Sequence, residues 1–330
     1  MIAGLLLTFL LCAALPEART RAQCDAQRQQ TLAGMQLVMG ALPHRRPEPL
    51  QVVVLEEEKS PKFTRRKITY VSEADDRVPA YLFLPAGAKR RRPAMLCLHQ
   101  TTRIGKGEPA GLGGKPDLQY ARELAERGYV TLAPDYPNFG DYKADAYAMG
   151  YASTTMKGIW NHMRAVDLLQ SLPEVDAKRI GVIGHSLGGH NSLFLAAFDT
   201  RIRAIVTSCG FTSFAKYMKG DLTGWSHKGY MPRIASEFGK DPGRMPFDFP
   251  GVLAALAPRP VFINAPLNDS NFEVSGVRDC VAAAMPAYRI FHADDRLVAT
   301  YPDTGHEFPQ ALRVAAYEFL DHWLKNGAHR

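Results

Sequence analysis

Cysteine is scarce: five residues in 330, at positions 12, 24, 97, 209 and 280. Cys12 lies in an apolar leader, which leaves Cys24, Cys97, Cys209 and Cys280, too few for a disulfide framework although one bridge among them stays open. Cys97 falls in an apolar run and reads as a small packed hydrophobe. No CxxC occurs and the ten histidines form no HExxH, so no metal is expected. The glycines at 105, 107, 111, 113 and 114 never take the GxxxxGK[ST] order, and no cofactor is expected from them. Beyond residue 15 no apolar run nears the roughly 18 to 20 residues that cross a bilayer. There is no internal repeat, and neither sign of charge dominates. Lys plus Arg is 40 against 33 Asp plus Glu, and the excess of +7 gathers in short clusters at 65–67 and 89–92. These read as solvated faces, and no nucleic-acid partner is expected.

What is present describes a globular protein: 46% hydrophobic and 22% charged residues over a length that suits one large domain or two ordinary ones. Residues 2–15 are apolar and uncharged, too short to span a membrane, with Arg19 and Arg21 behind them, as in the h-region of a signal peptide. Thr20-Arg21-Ala22 offers the small-residue cleavage pattern, with an uncleaved anchor as the alternative. A lipid attachment at Cys24 is not expected after Arg21-Ala22-Gln23. The organisation expected is a signal at 1–22, an N-terminal helix and Pro-rich lead-in at 23–50, and one domain at 51–330 with a lid-like insertion at 210–251. Such a protein is secreted or periplasmic and keeps no membrane span once the signal is removed.

Leu32, Met35, Val38 and Met39 predict a short amphipathic helix over 31–39, closed by Gly40. Strand-like runs follow at 51–55, 67–71 and 79–84, an antiparallel entry to a sheet. From Pro93 short apolar runs at 94–98, 129–133, 179–183, 202–207, 260–264 and 297–301 alternate with helical patterns at 118–127, 155–172, 187–198, 274–285 and 310–325. That alternation predicts an α/β fold with a mostly parallel sheet covered on both faces. The segment 210–251 is too long for a plain connection and carries Phe211, Phe214, Tyr217, Trp225, Tyr230, Phe238, Phe247 and Phe249, as a lid over a pocket or a structural flap would. A second loop, 101–116, can flank the same site.

Gly184-His185-Ser186-Leu187-Gly188 stands directly after a strand and directly before a helix, the context in which GxSxG carries meaning. The turn needs small residues on both sides of the serine, and it holds the Ser186 hydroxyl above the sheet as a nucleophile. A serine needs a base, and the base an orienting carboxylate. His306, between the last strand and the last helix, is the base expected. Asp269, after the strand at 260–264, is the acid expected, with Asp303 as a rival; Asp294 and Asp295 fall at the other end of the sheet. The oxyanion is expected on the backbone amides of Leu187 and Gln100, with Thr101 the near alternative to Gln100. His99 and His190 read as local hydrogen-bonding residues and His185 receives no role. Trp225, Tyr217 and Tyr230 are the expected substrate-binding residues.

Ser186, Asp269 and His306 in that order, with His99-Gln100 as the oxyanion loop, resemble the α/β-hydrolase superfamily, from about residue 51 to the C-terminal helix. Within it the chain resembles the dienelactone hydrolase-like and acetyl xylan esterase-like group, whose catalytic domain is similar to that of prolyl oligopeptidases. Dienelactone hydrolases use a cysteine nucleophile, so Ser186 points away from lactones toward ordinary carboxylic esters. The residues ahead of 94 are too few for the propeller of the oligopeptidases. The resemblance implies a serine carboxylesterase or acetyl esterase working through an acyl-enzyme on a small or polysaccharide-linked ester, with no cofactor. An exopeptidase or acylaminoacyl-type peptidase with the same triad stays open, and would need carboxylates such as Glu237, Asp241 or Asp248 to converge on an amine. A non-catalytic binding module on the same scaffold is the remaining alternative.

Overall fold

A computed structural model describes residues 20–44, 46–87 and 90–326. The apolar leader expected to be a signal peptide, Cys12, Arg19 and Lys89 of the second basic cluster lie outside the described residues. The strands are β1 (Val53–Lys59), β2 (Phe63–Glu73), β3 (Asp76–Pro85), β4 (Arg92–Leu98), β5 (Val130–Pro134), β6 (Val175–His185), β7 (Ile202–Ser208), β8 (Val261–Asn264) and β9 (Leu297–Thr300). The helices are α1 (Arg21–Met39), α2 (Tyr120–Glu126), α3 (Thr154–Ser171), α4 (Leu187–Phe198), the single turn α5 (Arg233–Ser236), α6 (Phe249–Leu256), α7 (Val274–Ile290) and α8 (Gln310–Leu324).

The strands form one sheet in the order β1-β2-β3-β5-β4-β6-β7-β8-β9. β1, β2, β3 and β5 pair antiparallel in that sequence, and from β5 through β4 to β9 every pairing is parallel. The buried parallel strands serve two cores at once because successive side chains face opposite ways. On β4, Ala94, Leu96 and Leu98 face the core made with α1, α3, α4, α6 and α7, whereas Met95 and Cys97 face the smaller one made with α2 and α8. At the antiparallel end Arg65 and Arg66 on β2 pair with Glu58 and Glu57 on β1, and Lys67 with Glu56 and with Asp141 beyond β5. The first basic cluster is thereby paired with acidic neighbours rather than left free. Deeper in, Lys157 of α3 is fully buried and bonded to Glu73 and Asp76.

The sheet's carboxyl edge positions the site. The ladder aligns Leu98 with Gly184, His185 with Ser208, Ser208 with Asn264, and Asn264 with Thr300. The loops after β4, β6, β7, β8 and β9 therefore leave from one row. Asp294 and Asp295 precede β9 and lie at the other end.

Several strands and α7 run a few residues beyond the bounds expected from sequence, and two segments differ more. The first helix begins at Arg21 rather than 31, with Thr20 capping it through a bond from the Gln23 amide. Its early buried face uses Cys24, Thr31 and Gly34, which carry no hydrophobic period to read. A Cβ on Gly34 would stand 2.2 Å from the Pro246 carbonyl oxygen, so α1 lies hard against the end of the 210–251 segment. That segment is no bare loop: it contains α5, several 3-10 turns and the start of α6. Phe211, Phe214, Phe247 and Phe249 pack as one aromatic cluster with Phe194 of α4 and with Trp225. Cys24, Cys97, Cys209 and Cys280 are all buried free thiols.

Candidate active site

Ser186 is the residue between β6 and α4, and its backbone holds φ 52° and ψ −115°, a conformation that side-chain-bearing residues avoid. Its amide donates to the Ser208 carbonyl at 2.8 Å and its carbonyl accepts from Gly189, which fixes the turn from both sides. The glycines of the motif are required by contact. A Cβ on Gly188 would stand 1.9 Å from the Leu98 carbonyl oxygen, and one on Gly184 would stand 2.2 Å from that of Gly188. Leu187 opens α4, so its amide is one of those that no carbonyl of the helix can satisfy.

His306 and Asp269 meet from separate loops. The ring Nδ1 lies 2.9 Å from Asp269 Oδ2 and 3.0 Å from Oδ1. Asp269 Oδ1 also accepts from the amides of Asn271 at 2.8 Å and Phe272 at 3.1 Å. Burial works to raise the Asp269 pKa, but the bonds from His306 and the two amides outweigh it and hold the carboxyl below its ordinary range. With Nδ1 donating to a carboxylate, Nε2 of His306 carries the free lone pair. Asp303 instead accepts from the Asn268 amide group at 2.8 Å.

Ser186 and His306 open on a common cavity of about 260 Å³ lined by Gln100, Thr101, His190, Tyr217, Gly224, Trp225, Tyr230, Asn271 and Phe272. A larger hollow of about 450 Å³ lies between Gly40–His44 and Arg233, away from any nucleophile. Of the residues expected from sequence, Ser186, His306, Gln100, Tyr217, Trp225 and Tyr230 border the cavity, and Asp269 stands behind His306. His190, Asn271 and Phe272 were not foreseen as wall residues. Position 190 is one helical turn after Ser186 on the same face, and 271–272 directly follow Asp269, so both had a positional signal. The loop 101–116 contributes Thr101; its middle is buried, where Lys106 is salt-bridged to Asp135 and Asp141.

The other histidines have defined partners. His99 Nε2 accepts from the Tyr136 amide at 2.9 Å, so its Nδ1 carries the proton and donates to the Gln100 carbonyl at 2.6 Å. His185 Nδ1 lies 2.9 Å from Ser208 Oγ, its ring meets that of His306 edge-to-face at 4.8 Å, and burial, with His306 alongside, keeps it far below its ordinary pKa. Among the described residues, one His/Cys/acid group brings ligating atoms together: His185, Cys209 and His306, within 4.8 Å of one another. Glu237, Asp241 and Asp248 do not converge. Glu237 pairs with Arg233, Asp241 caps the turn at Gly243, and Asp248 caps α6 while accepting from the Phe214 amide.

Comparison with known proteins agrees with this architecture. The chain is 26% identical over 301 residues to the protein YtaP of Bacillus subtilis (strain 168), covering 87% of this chain and 96% of that one. It is 25% identical over 227 residues to the carbohydrate esterase MZ0003 of an unknown prokaryotic organism, covering 60% of this chain and 52% of the relative. Among solved structures, the glucuronoyl esterase from Solibacter usitatus superposes with a TM-score of 0.73 at 19% identity, over 95% of this chain and 98% of that one, a likeness of fold. The model of the prolyl oligopeptidase family matches residues 117–329, which include Ser186, Asp269 and His306, and the chain belongs to that family of α/β-hydrolases.

Proposed function

We propose that the protein is an exported serine hydrolase that cleaves carboxylic esters through an acyl-enzyme. The observation that carries this reading is the opening of a strained serine and a carboxylate-bound histidine on one cavity. Ser186 Oγ attacks the ester carbonyl while His306 Nε2 takes its proton. Asp269 holds the ring in the tautomer that can accept and stabilises the imidazolium that forms. The oxyanion rests on the amides of Leu187 and Gln100, with Thr101 next to them. His306 then returns the proton to the leaving alcohol, and water, activated by the same ring, releases the acid.

Size and polarity favour esters with short acyl groups. Among the described residues the cavity wall carries, apart from His306 and His190, no ionisable group but tyrosines, and so neither a carboxylate of the kind an exopeptidase needs for an amino terminus nor a lysine or arginine for a charged acid. The relative named as a carbohydrate esterase supports a polysaccharide-linked substrate. The peptidase reading is kept alive by the family itself. The test is hydrolysis of p-nitrophenyl esters from acetyl to octanoyl and of an aminoacyl p-nitroanilide, by the protein and by Ser186→Ala. Turnover of short esters, lost in the variant, is the expected result; cleavage of the anilide alone would transfer the assignment to a peptidase.

Residues 1–22 act as the signal in this reading, 23–50 as the lead-in and 51–330 as the catalytic domain, with 210–251 as its lid. No helix among the described residues is long and apolar enough to cross a membrane.

A further inference from the structure

His306 stands in the irregular stretch between β9 and α8, so its ring is only as fixed as the ties that hold that stretch. It is the central residue of a three-residue turn, closed by the Glu307 amide on the Gly305 carbonyl at 2.7 Å. Ahead of it, the Thr304 carbonyl accepts from the Asn268 amide at 3.0 Å, which ties the histidine to the loop that carries Asp269. Behind it, the Glu307 carbonyl accepts from Asn264 Nδ2 at 2.9 Å and from the Cys209 thiol at 3.4 Å. The residue next to the base is thus held by both its backbone polar groups, and the second hold comes from the sheet.

Asn264 ends β8 and is 1% exposed. The way its amide points follows from its partners. A carbonyl can only accept, so the end that faces Glu307 is the NH₂. The same nitrogen donates to Ser208 Oγ at 2.9 Å, and Oδ1 is buried without a partner, so the side chain acts purely as a donor. Ser208 Oγ in turn lies 2.9 Å from Nδ1 of His185, whose ring rests against that of His306. Three neighbouring strand ends, His185, Ser208 and Asn264, therefore form one buried polar row under the base. Thr300, at the next strand end, takes no part: its hydroxyl donates to the Ile263 carbonyl at 3.0 Å.

We propose that Asn264 is a positioning residue for catalysis, which fixes the Glu307 carbonyl and so aims the His306 ring at Asp269 and Ser186. This rests on the reading of His306 as the base in ester cleavage and adds to it the element that holds the base in place. The ring must keep Nδ1 on Asp269 while Nε2 takes a proton and gives it back, and a turn free to swing would spend part of its time misaligned. Displacement of a reacting group by about 1 Å can cost on the order of 10²-fold in rate.

Asn264→Asp keeps the shape and removes both donors, so an ionised carboxylate sets an oxygen against the Glu307 carbonyl. On p-nitrophenyl acetate, kcat per site titrated with a fluorophosphonate should fall about 10- to 100-fold with KM within about threefold. As the pH is lowered from about 8 to about 5, the buried carboxyl takes up a proton and regains a donor, and the ratio of variant to parent kcat should rise. Asn264→Ala, which removes the donors and adds no repelling oxygen, should lose less and show no such recovery. Thr300→Val is the control at the same sheet edge, with kcat within about threefold of the parent. A purely structural asparagine would lower the melting temperature and the number of titrated sites but leave kcat per site unchanged. That result in both Asn264 variants, or a loss in Asn264→Asp that low pH does not relieve, overturns the proposal. If the parent turns over no ester, the ester reading fails separately, and the ring nitrogen resonances of His306 in the ¹⁵N-labelled protein still decide. Their displacement in Asn264→Asp but not in Thr300→Val supports the positioning role, and unchanged resonances overturn it.

Discussion

Replacing Asp269 by Asn tests the site at the one contact where the direction of a proton decides activity. An asparagine fits the same space, and its amide oxygen can still accept from the Asn271 and Phe272 amides, so the loop after β8 keeps two of its ties. What changes is the group 2.9 Å from His306 Nδ1. An amide NH₂ turned to that nitrogen donates, which moves the ring proton to Nε2, the nitrogen that must accept from Ser186. A wrong tautomer of this kind lowers kcat by about 10⁴, or ~5 kcal/mol in the barrier. Asp269→Asn should therefore lose about four orders of magnitude in kcat on a short p-nitrophenyl ester, with KM nearly unchanged and a melting temperature within a few degrees of the parent. Asp303→Asn is the control: its partner is Asn268, and its kcat should stay within about threefold. Loss of activity in Asp303→Asn with retention in Asp269→Asn would refute the reasoning, as would an Asp269→Asn enzyme within tenfold of the parent.

Other outcomes follow from the same geometry. Gly188→Ala puts a methyl 1.9 Å from a backbone oxygen and should cost roughly 3 kcal/mol or more, read as a fall of about 5–10 °C in a thermal melt together with loss of activity. Asp248 is held up at about 6 by burial, against the bonds from Phe249 and Phe214 that pull it down. A carboxyl raised on folding gives stability that is full below its unfolded pKa and lost as pH rises through the folded one. Relative to Asp248→Asn, the parent should thus lose up to ~3 kcal/mol between pH 4 and pH 7 in urea melts. His99→Phe leaves the Tyr136 amide unpaired and frees the Gln100 carbonyl, so kcat should drop about tenfold through a loosened oxyanion loop, with a smaller change in KM.

The placement of Ser186, Asp269 and His306 is legible in the sequence because each is tied to a strand end. Ser186, Asp269 and His306 follow β6, β8 and β9, and strands of unbroken apolar residues are the part of an α/β sequence easiest to find. Choosing Asp269 over Asp303 needed only the position of the strand at 260–264. The sequence pattern predicts the N-terminal helix too short because Cys24, Thr31 and Gly34 bury by shape rather than by hydrophobicity. The segment 210–251 was recognisable as aromatic, but how its rings divide was not. Phe214 and Phe249 go to the core while Tyr217 and Tyr230 face the cavity, and only tertiary packing sorts them. His190 borders the cavity with its ring edge-to-face on Trp225, a contact made across 35 residues of chain.

The contact of α1 with the far end of the 210–251 segment bears on when the protein can fold. Gly34 touches Pro246, Arg28 donates to the Ala197 carbonyl of α4, and Cys24 packs beside Ala287 of α7. Those partners arrive long after α1 itself has left the ribosome. With a weakly amphipathic sequence and every support so distant along the chain, the helix gains almost nothing until the second half of the sheet exists. The contacts of α1 with the end of the 210–251 segment and with α4 and α7 are therefore among the last to form.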